Sequence, residues 1–337
     1  MGRAIESVET VIVGGGQAGL SLSYYLTREK REHIVLEKTQ RAGSVWTQQR
    51  WDSFTLVTPN WAFRLPGAEY SGPDPQGFML RAEVDRRFQE YVQKNGLPLR
   101  YDTQVASVVP QELGYLVAAG GCTYQARNVV VASGLFQRAK IPTWAADLPA
   151  EILQVAACDY RNPQSLPPGA VLVVGSAQTG AQIAEELNES GRKVYLSVGG
   201  VGRFPRRYRG RDAVDWASLT GFFNRTPDML PSPAARFGSN PTLTGKNGGH
   251  SLNMHQFYRD GIVLLGHARS LADGRLTFEP DLKESLAKAD KSERDFIQRV
   301  DDYIQAQGLS DPTDQIPQLN DGYSAPQILS LDLKAAG

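Results

Sequence analysis

Residues Val11-Ile12-Val13-Gly14-Gly15-Gly16-Gln17-Ala18-Gly19-Leu20 pass from a short β-branched run through a glycine turn into helical spacing. Gly14, Gly16 and Gly19 fit the spacing G-x-G-x-x-G, and each glycine has its own physical task. The first permits the tight turn, the second lets backbone approach a pyrophosphate, and the third lets helix and strand pack closely. The helix start then presents free N–H groups and a partial positive charge to phosphates. A lone glycine pattern is weak, so context decides. Here a strand precedes it, helical spacing from Ala18 to Thr27 follows it, and Ile34-Val35-Leu36 forms a second strand ending at Glu37. Glu37 lies 18 residues past Gly19, near the roughly 20 at which a carboxylate meets an adenosine ribose. The contact set expected from this βαβ unit is Gly14, Gly16, Gln17, Ala18, Gly19, Glu37 and Lys38.

The pattern recurs about 160 residues further on. Val171–Val174 reads as a strand, Gly175-Ser176-Ala177-Gln178-Thr179-Gly180 as the turn, and Ala181–Leu187 as the helix. Ala177 occupies the middle glycine position and puts a methyl where the first loop has none. The following strand, Val194-Tyr195-Leu196, ends at Ser197 and carries no acid for a ribose 2′-hydroxyl. Arg203, Arg206 and Arg207 stand close downstream. Missing carboxylate and nearby cations favour a 2′-phosphate, hence NADPH over NADH. The expected contacts are Gly175, Ser176, Gln178, Thr179, Gly180, Ser197, Arg203, Arg206 and Arg207. Two dinucleotide sites on one chain imply FAD on the first and a nicotinamide presented to it from the second.

These signals predict an α/β protein with two nested Rossmann-like dinucleotide-binding domains, three-layered, with a β-meander. Boundaries are expected at 1–162 for the FAD domain and 163–325 for the NAD(P)H domain, with 326–337 returning toward the first. Residues 101–107, 113–118 and 122–131 read as strands, the meander among them. Ala82–Lys94 and Leu282–Gln307 read as helices, and Ile262–Leu265 as a strand. Residues 42–80 read as aromatic and Pro-rich loops over a cofactor. Residues 201–260 give no clear element.

The totals exclude much. The 337 residues carry 36 Lys+Arg against 36 Asp+Glu, so no net charge steers the chain to nucleic acid or an anionic membrane. No apolar run reaches the roughly 18 residues of a membrane helix, and a cytoplasmic location is expected. Cys122 and Cys158 lack metal or C-x-x-C spacing. His250 and His255, five apart without acid or Cys neighbours, predict no metal site. Partners are a small-molecule substrate and O2, and the oligomeric state stays open between monomer and homodimer.

Taken with the loops, Gly43-Ser-Val-Trp46, Trp51 through Pro59, Leu65-Pro-Gly67 and Tyr160-Arg-Asn-Pro163 resemble the flavin-containing monooxygenase superfamily, in its bacterial soluble branch. The resemblance spans nearly the whole chain. It implies that NADPH reduces FAD and that a flavin C4a-(hydro)peroxide oxygenates a soft sulfur or nitrogen centre. It also implies that Val45 and Trp46 sit near the flavin, that Asp52 and Thr58 line the loop beside its ring with a catalytic part, and that Val105 and Ala132 meet the cofactor. A flavin oxidoreductase that does not oxygenate and a non-catalytic nucleotide-binding remnant are the alternatives.

Three departures stand out. Ala150, Ile152 and Ala156 occupy the positions of the aromatic, glycine and histidine that precede Tyr160 in the family. Leu56-Val57-Thr58 replaces a stretch with asparagine in animal-type members. Relatives continue past a segment like Asp332-Leu-Lys-Ala-Ala-Gly337 into one more strand and a helix of the FAD domain. The expectation is an open sheet edge, weak FAD binding and an impaired 337-residue form, whether a fragment, a truncated gene product or a chain completed by a partner.

Overall fold

The computed structural model describes residues 5–230, 232–237 and 240–337. Strand β1 (Ile5–Val13) buries Val8, Val11 and Ile12. Helix α1 (Gln17–Arg28) follows the glycine turn, and β2 (His33–Leu36) pairs parallel with β1, placing Val13 opposite Leu36. Short α2 (Val45–Gln48) interrupts the aromatic segment, and α3 (Arg81–Asn95) packs Val84, Phe88 and Tyr91 inward at helical spacing. Gly96 ends α3 with a left-handed backbone at φ 57°.

The first sheet adds β3 (Leu99–Arg100), β4 (Val105–Gln111), β5 (Gly114–Ala119) and β6 (Cys122–Val131) in the order β3-β2-β1-β6-β5-β4. The expected meander is β4-β5-β6, all antiparallel neighbours. The strand expected over 101–107 starts instead at Val105, because Asp102 takes positive φ in a turn. Strand β6 serves two partners. Its Cys122–Ala126 part pairs with β5, and its Asn128–Val131 part pairs only with β1 among the described residues. Val131, at the end of that part, is 71% exposed.

The second sheet holds β7 (Val171–Val174), β8 (Val194–Ser197) and the Val263–Leu265 strand, all parallel, with β8 central. Helix α4 (Gln178–Glu189) buries Ala181, Ile183, Ala184 and Leu187 beside it. Two short helices, α5 (Ala213–Leu219) and α6 (Met254–Arg259), and the long α7 (Leu282–Gln307) complete the unit. Helix α7 turns Leu282, Leu286, Ala289, Phe296, Val300 and Ile304 inward and closes on Gly308 at φ 62°.

The tail corrects one expectation. Ser330–Asp332 pairs with Arg275–Phe278, which pairs with Ala268–Ala272. Gly337 O accepts from Ala170 N at 2.7 Å. Residues 326–337 therefore lie against the second unit, not the first. No helix among the described residues is long and apolar enough to cross a membrane.

Candidate functional site: two glycine cradles and the tether between them

Both cradles are built by the same local bonds. Gly14 N donates to Leu36 O at 2.9 Å, and Gly175 N donates to Ser197 O at 3.1 Å. A Cβ on Gly19 would fall 2.0 Å from Gly14 O, and one on Gly180 would fall 1.8 Å from Gly175 O. The third glycine of each loop is thus demanded by its own turn. Gly14 has φ +110°, and its Cβ would strike Ala132 O at 2.5 Å. Gly16 is different. A Cβ there would meet nothing within 4 Å, and its φ of −87° suits any residue. The fold leaves that space open in front of α1, whose first turn has no side-chain cap. Free N–H donors facing an open cradle fit a pyrophosphate. Helix α4 starts the same way, at Ala177, again without a side-chain cap.

Glu37 is 6% exposed, at the rim of the first cradle. Its Oε2 accepts from Gly15 N at 2.8 Å, and its Oε1 accepts from Thr39 N and Thr39 Oγ1. The carboxylate is held in place with one acceptor site, on Oε2, left for a ribose hydroxyl. Gln17 and Ala18 are exposed at the helix start, Gln17 Nε2 donating to Arg64 O. Lys38 Nζ donates to Gln137 Oε1, and Ala132 N bonds Val13 O. Gly43 N donates to Gly15 O, which docks the α2 segment on the glycine loop. Val45 and Trp46 are half-buried there, and the Arg50 guanidinium lies 5.6 Å from the Trp46 ring. Burial pushes the Arg50 pKa down. Val105 opens β4, half-buried against the core of the first sheet.

Asp52 and Thr58 are both exposed. Asp52 is a tether: it pairs with Arg81 at 3.0 Å and accepts from Asn162 Nδ2 at 2.6 Å, while its N–H donates to Arg161 O. This explains the Tyr160-Arg-Asn-Pro163 motif. Tyr160 donates to Glu186 Oε2 of α4 at 2.7 Å, and Arg161 donates to Cys158 O. Burial, then the Glu186 carboxylate, push the Tyr160 pKa far up, so its hydroxyl stays a donor. Asn162 also caps the turn at Pro163–Ser165, accepting from Ser165 N. The motif ties the Asp52 loop to the helix of the second cradle. Asn162→Ala removes the cap and the Asp52 bond together, at an expected cost of about 1–2 kcal/mol. Urea denaturation should also show Asp52→Ala costing less in the Asn162→Ala background than alone, since the two share one bond.

The second cradle departs from sequence-based expectation at three residues. Ser197 is 3% exposed, donating to Gly266 O and accepting from Ala268 N, so it bridges strand ends and cannot meet a ribose. Arg203 is 2% exposed, held by Glu293 at 2.8 Å and Asp290 at 2.7 Å, the latter as an ion pair out of line for a hydrogen bond. Arg206 is 3% exposed, paired with Asp212, donating to Val57 O and lying 4.2 Å over the Phe78 ring. These two arginines are structural cations, closed to a 2′-phosphate. Arg207 alone of the three is exposed, and it donates to Gly248 O and Gly249 O. Ser176 is buried with its Oγ accepting from Gly199 N at 3.0 Å, while Gln178 bonds both N and O of Leu243. Thr179 is half-buried on the first turn of α4.

Sequence reading missed the network around Arg203. Asp290 also accepts from Tyr323 at 2.6 Å and contacts His255 Nε2 at 3.2 Å, while His255 Nδ1 accepts from Gly322 N. Burial would raise the Asp290 pKa, but the Tyr323 hydrogen bond and the Arg203 guanidinium outweigh it and hold the carboxyl below its usual range. Burial and the Asp290 bond push Tyr323 up to about 12. Burial drives His255 the other way, toward neutrality. No group of three metal-ligating side chains occurs among the described residues. A cleft of about 700 Å³ opens between the aromatic segment and the 207–219 region, lined by Trp61, Gln76, Arg207, Arg211, Asp212 and Asp215. Burial and the Asp212 charge raise the Asp215 carboxyl.

The profile of the pyridine nucleotide-disulphide oxidoreductases matches residues 11–209, both cradles included. The chain belongs to this family. An oxidoreductase of Bacillus subtilis called CzcO is 36% identical over 257 residues, covering 76% of this family member and 72% of the relative. A CzcO-like oxidoreductase of Geobacillus kaustophilus is 38% identical over 218 residues, covering 64% and 62%. The chain thus spans about three fifths of that relative's length. Among solved structures, a flavin monooxygenase variant from Stenotrophomonas maltophilia aligns at TM-score 0.55 and 26% identity, covering 70% of each chain. The expected likeness to flavin monooxygenases is therefore met. The bacillithiol disulfide reductase of Staphylococcus aureus, at TM-score 0.57 and 16% identity, shares the fold.

Proposed function

We propose that this flavin-family oxidoreductase binds FAD on the Gly14–Gly19 cradle and NADPH on the Gly175–Gly180 cradle, and oxygenates a small sulfur or nitrogen nucleophile with O2. The observation that carries the reading is the repeated cradle, with matched turn bonds and uncapped helices. The likeness to flavin monooxygenases supports oxygenation. Cys122 and Cys158 are free and far apart in sequence, which disfavours a disulfide-reducing pair.

The residues divide the work. Gly14, Gly16, Gln17, Ala18 and Gly19 hold a pyrophosphate, and Glu37 fixes the ribose beyond it. The α2 segment, with Val45 and Trp46, covers the cofactor and excludes water. Asp52, through Asn162, positions the first cradle against the second, and Thr58 stands on the same loop. The cleft at Trp61 and Asp215 is our site for the small substrate. FAD, when bound, supplies hydride acceptance and oxygen chemistry, and the protein supplies binding and orientation.

Aerobic NADPH oxidation by FAD-loaded protein tests this reading, run with and without a methyl aryl sulfide. Sulfoxide formed in step with NADPH consumed is the expected result. NADPH oxidation yielding only reduced oxygen species would move the assignment to a flavin oxidoreductase that does not oxygenate.

A further inference from the structure

Matched hydrogen bonds align the cradles residue by residue. Leu36 O and Ser197 O accept from the first glycine of their loops, so the counterpart of Glu37 is Val198. Val198 is 2% exposed and apolar. The strip beyond it, Gly199-Gly200, then runs past the place where an adenosine ribose presents its 2′ position. Arg203 and Arg206 are buried there, each held on a carboxylate.

Two other basic side chains stand over it. A Cβ on Gly199 would lie 3.2 Å from His267 Nε2, and one on Gly200 would lie 3.2 Å from Lys288 Cδ and 3.7 Å from its Nζ. His267 follows the Val263–Leu265 strand, at the carboxyl end of the parallel sheet where dinucleotides bind. Asp281 fixes its pose, accepting from His267 N at 3.0 Å and pairing with Nδ1. With Nδ1 engaged by Asp281, Nε2 is the ring nitrogen presented over Gly199. Lys288 pairs with Glu284 one turn back on α7, both side chains well exposed. Such a pair is weak and releases the ammonium readily to a dianion.

Resting on the NADPH reading above, the geometry points to His267 Nε2 and Lys288 Nζ as the groups that read the 2′-phosphate and set preference for NADPH over NADH. The two glycines are the floor of the subsite. Any side chain on Gly199 or Gly200 would meet His267 or Lys288 before a ligand did.

Titration calorimetry on FAD-saturated protein tests this with two fragments, 2′,5′-ADP and 5′-AMP. Wild type should bind 2′,5′-ADP at least about 10-fold tighter, the worth of one charge-assisted bond. Lys288→Met and His267→Ala should each cost about 10-fold for 2′,5′-ADP and leave 5′-AMP binding unchanged, which also shows that each variant folds. Wild-type preference kept in both variants would overturn the assignment, as would its collapse in Arg207→Met alone. A wild type that binds both fragments equally would instead sink the NADPH reading itself.

Discussion

Gly19→Ala is expected to yield a protein that retains no flavin and unfolds at markedly lower denaturant. The new Cβ would sit 2.0 Å from Gly14 O, a backbone atom inside the turn that forms the cradle. Neither partner is the end of a flexible side chain, so the clash resolves only by opening the turn. The cost should reach roughly 3 kcal/mol, the upper end of overpacking penalties. Gly16→Ala is the informative contrast. Its methyl enters empty space and its backbone angles are ordinary, so the FAD-free protein should unfold as wild type does. A pyrophosphate approaching the same space meets the methyl, and FAD affinity should fall on the order of 10- to 100-fold. Urea denaturation without FAD and flavin titration together separate the two variants. Equal loss of stability in both would contradict the division between a glycine required by the turn and one required by the ligand.

Asp290→Asn should be the most damaging single change in the second unit. Asp290 receives Arg203, Tyr323 and His255 in a site where Arg203 is 2% exposed. An amide of the same shape keeps one acceptor oxygen and brings an N–H toward three donors. Removing one partner of a buried ion pair costs about 3–5 kcal/mol because the remaining charge is left uncompensated. Glu293 still holds Arg203, which places the expectation near the lower value. Tyr323→Phe, which removes one bond to Asp290 and no charge, should cost about 1 kcal/mol. Urea denaturation that ranks the two variants the other way would show that the network is not centred on Asp290.

Much of the fold is legible in the sequence because it rests on local patterns. The Val171–Val174 strand and the Leu282–Gln307 helix have the bounds their periodicity predicts. Other elements depend on distant partners. The first half of β1 carries Glu6 and Glu9 and reads as polar, yet it extends because β6 pairs with it and Arg100 and Arg31 meet those acids. The run Arg203–Arg211 reads as a basic loop for phosphate, but Glu293, 90 residues away, lies on a helix that returns beneath Arg203. Nothing local to the arginines announces that carboxylate. Helices α5 and α6 had a readable signal in their capping residues Asp212 and Asn253, which accept from Val214 N and His255 N. The candidate cleft draws on segments 42–80 and 201–260, the two stretches whose periodicity is poorest, because such loops are positioned by the scaffold rather than by their own pattern.

The central claim is that electrons enter at the Gly175–Gly180 cradle and reach a flavin held at Gly14–Gly19. Anaerobic mixing of NADPH with FAD-reconstituted protein measures this directly through the visible flavin band. The band should bleach stoichiometrically with NADPH, and it should persist when Gly180→Val protein is mixed under the same conditions. A protein that takes up no flavin, or whose bound flavin stays oxidised under excess NADPH, would contradict it.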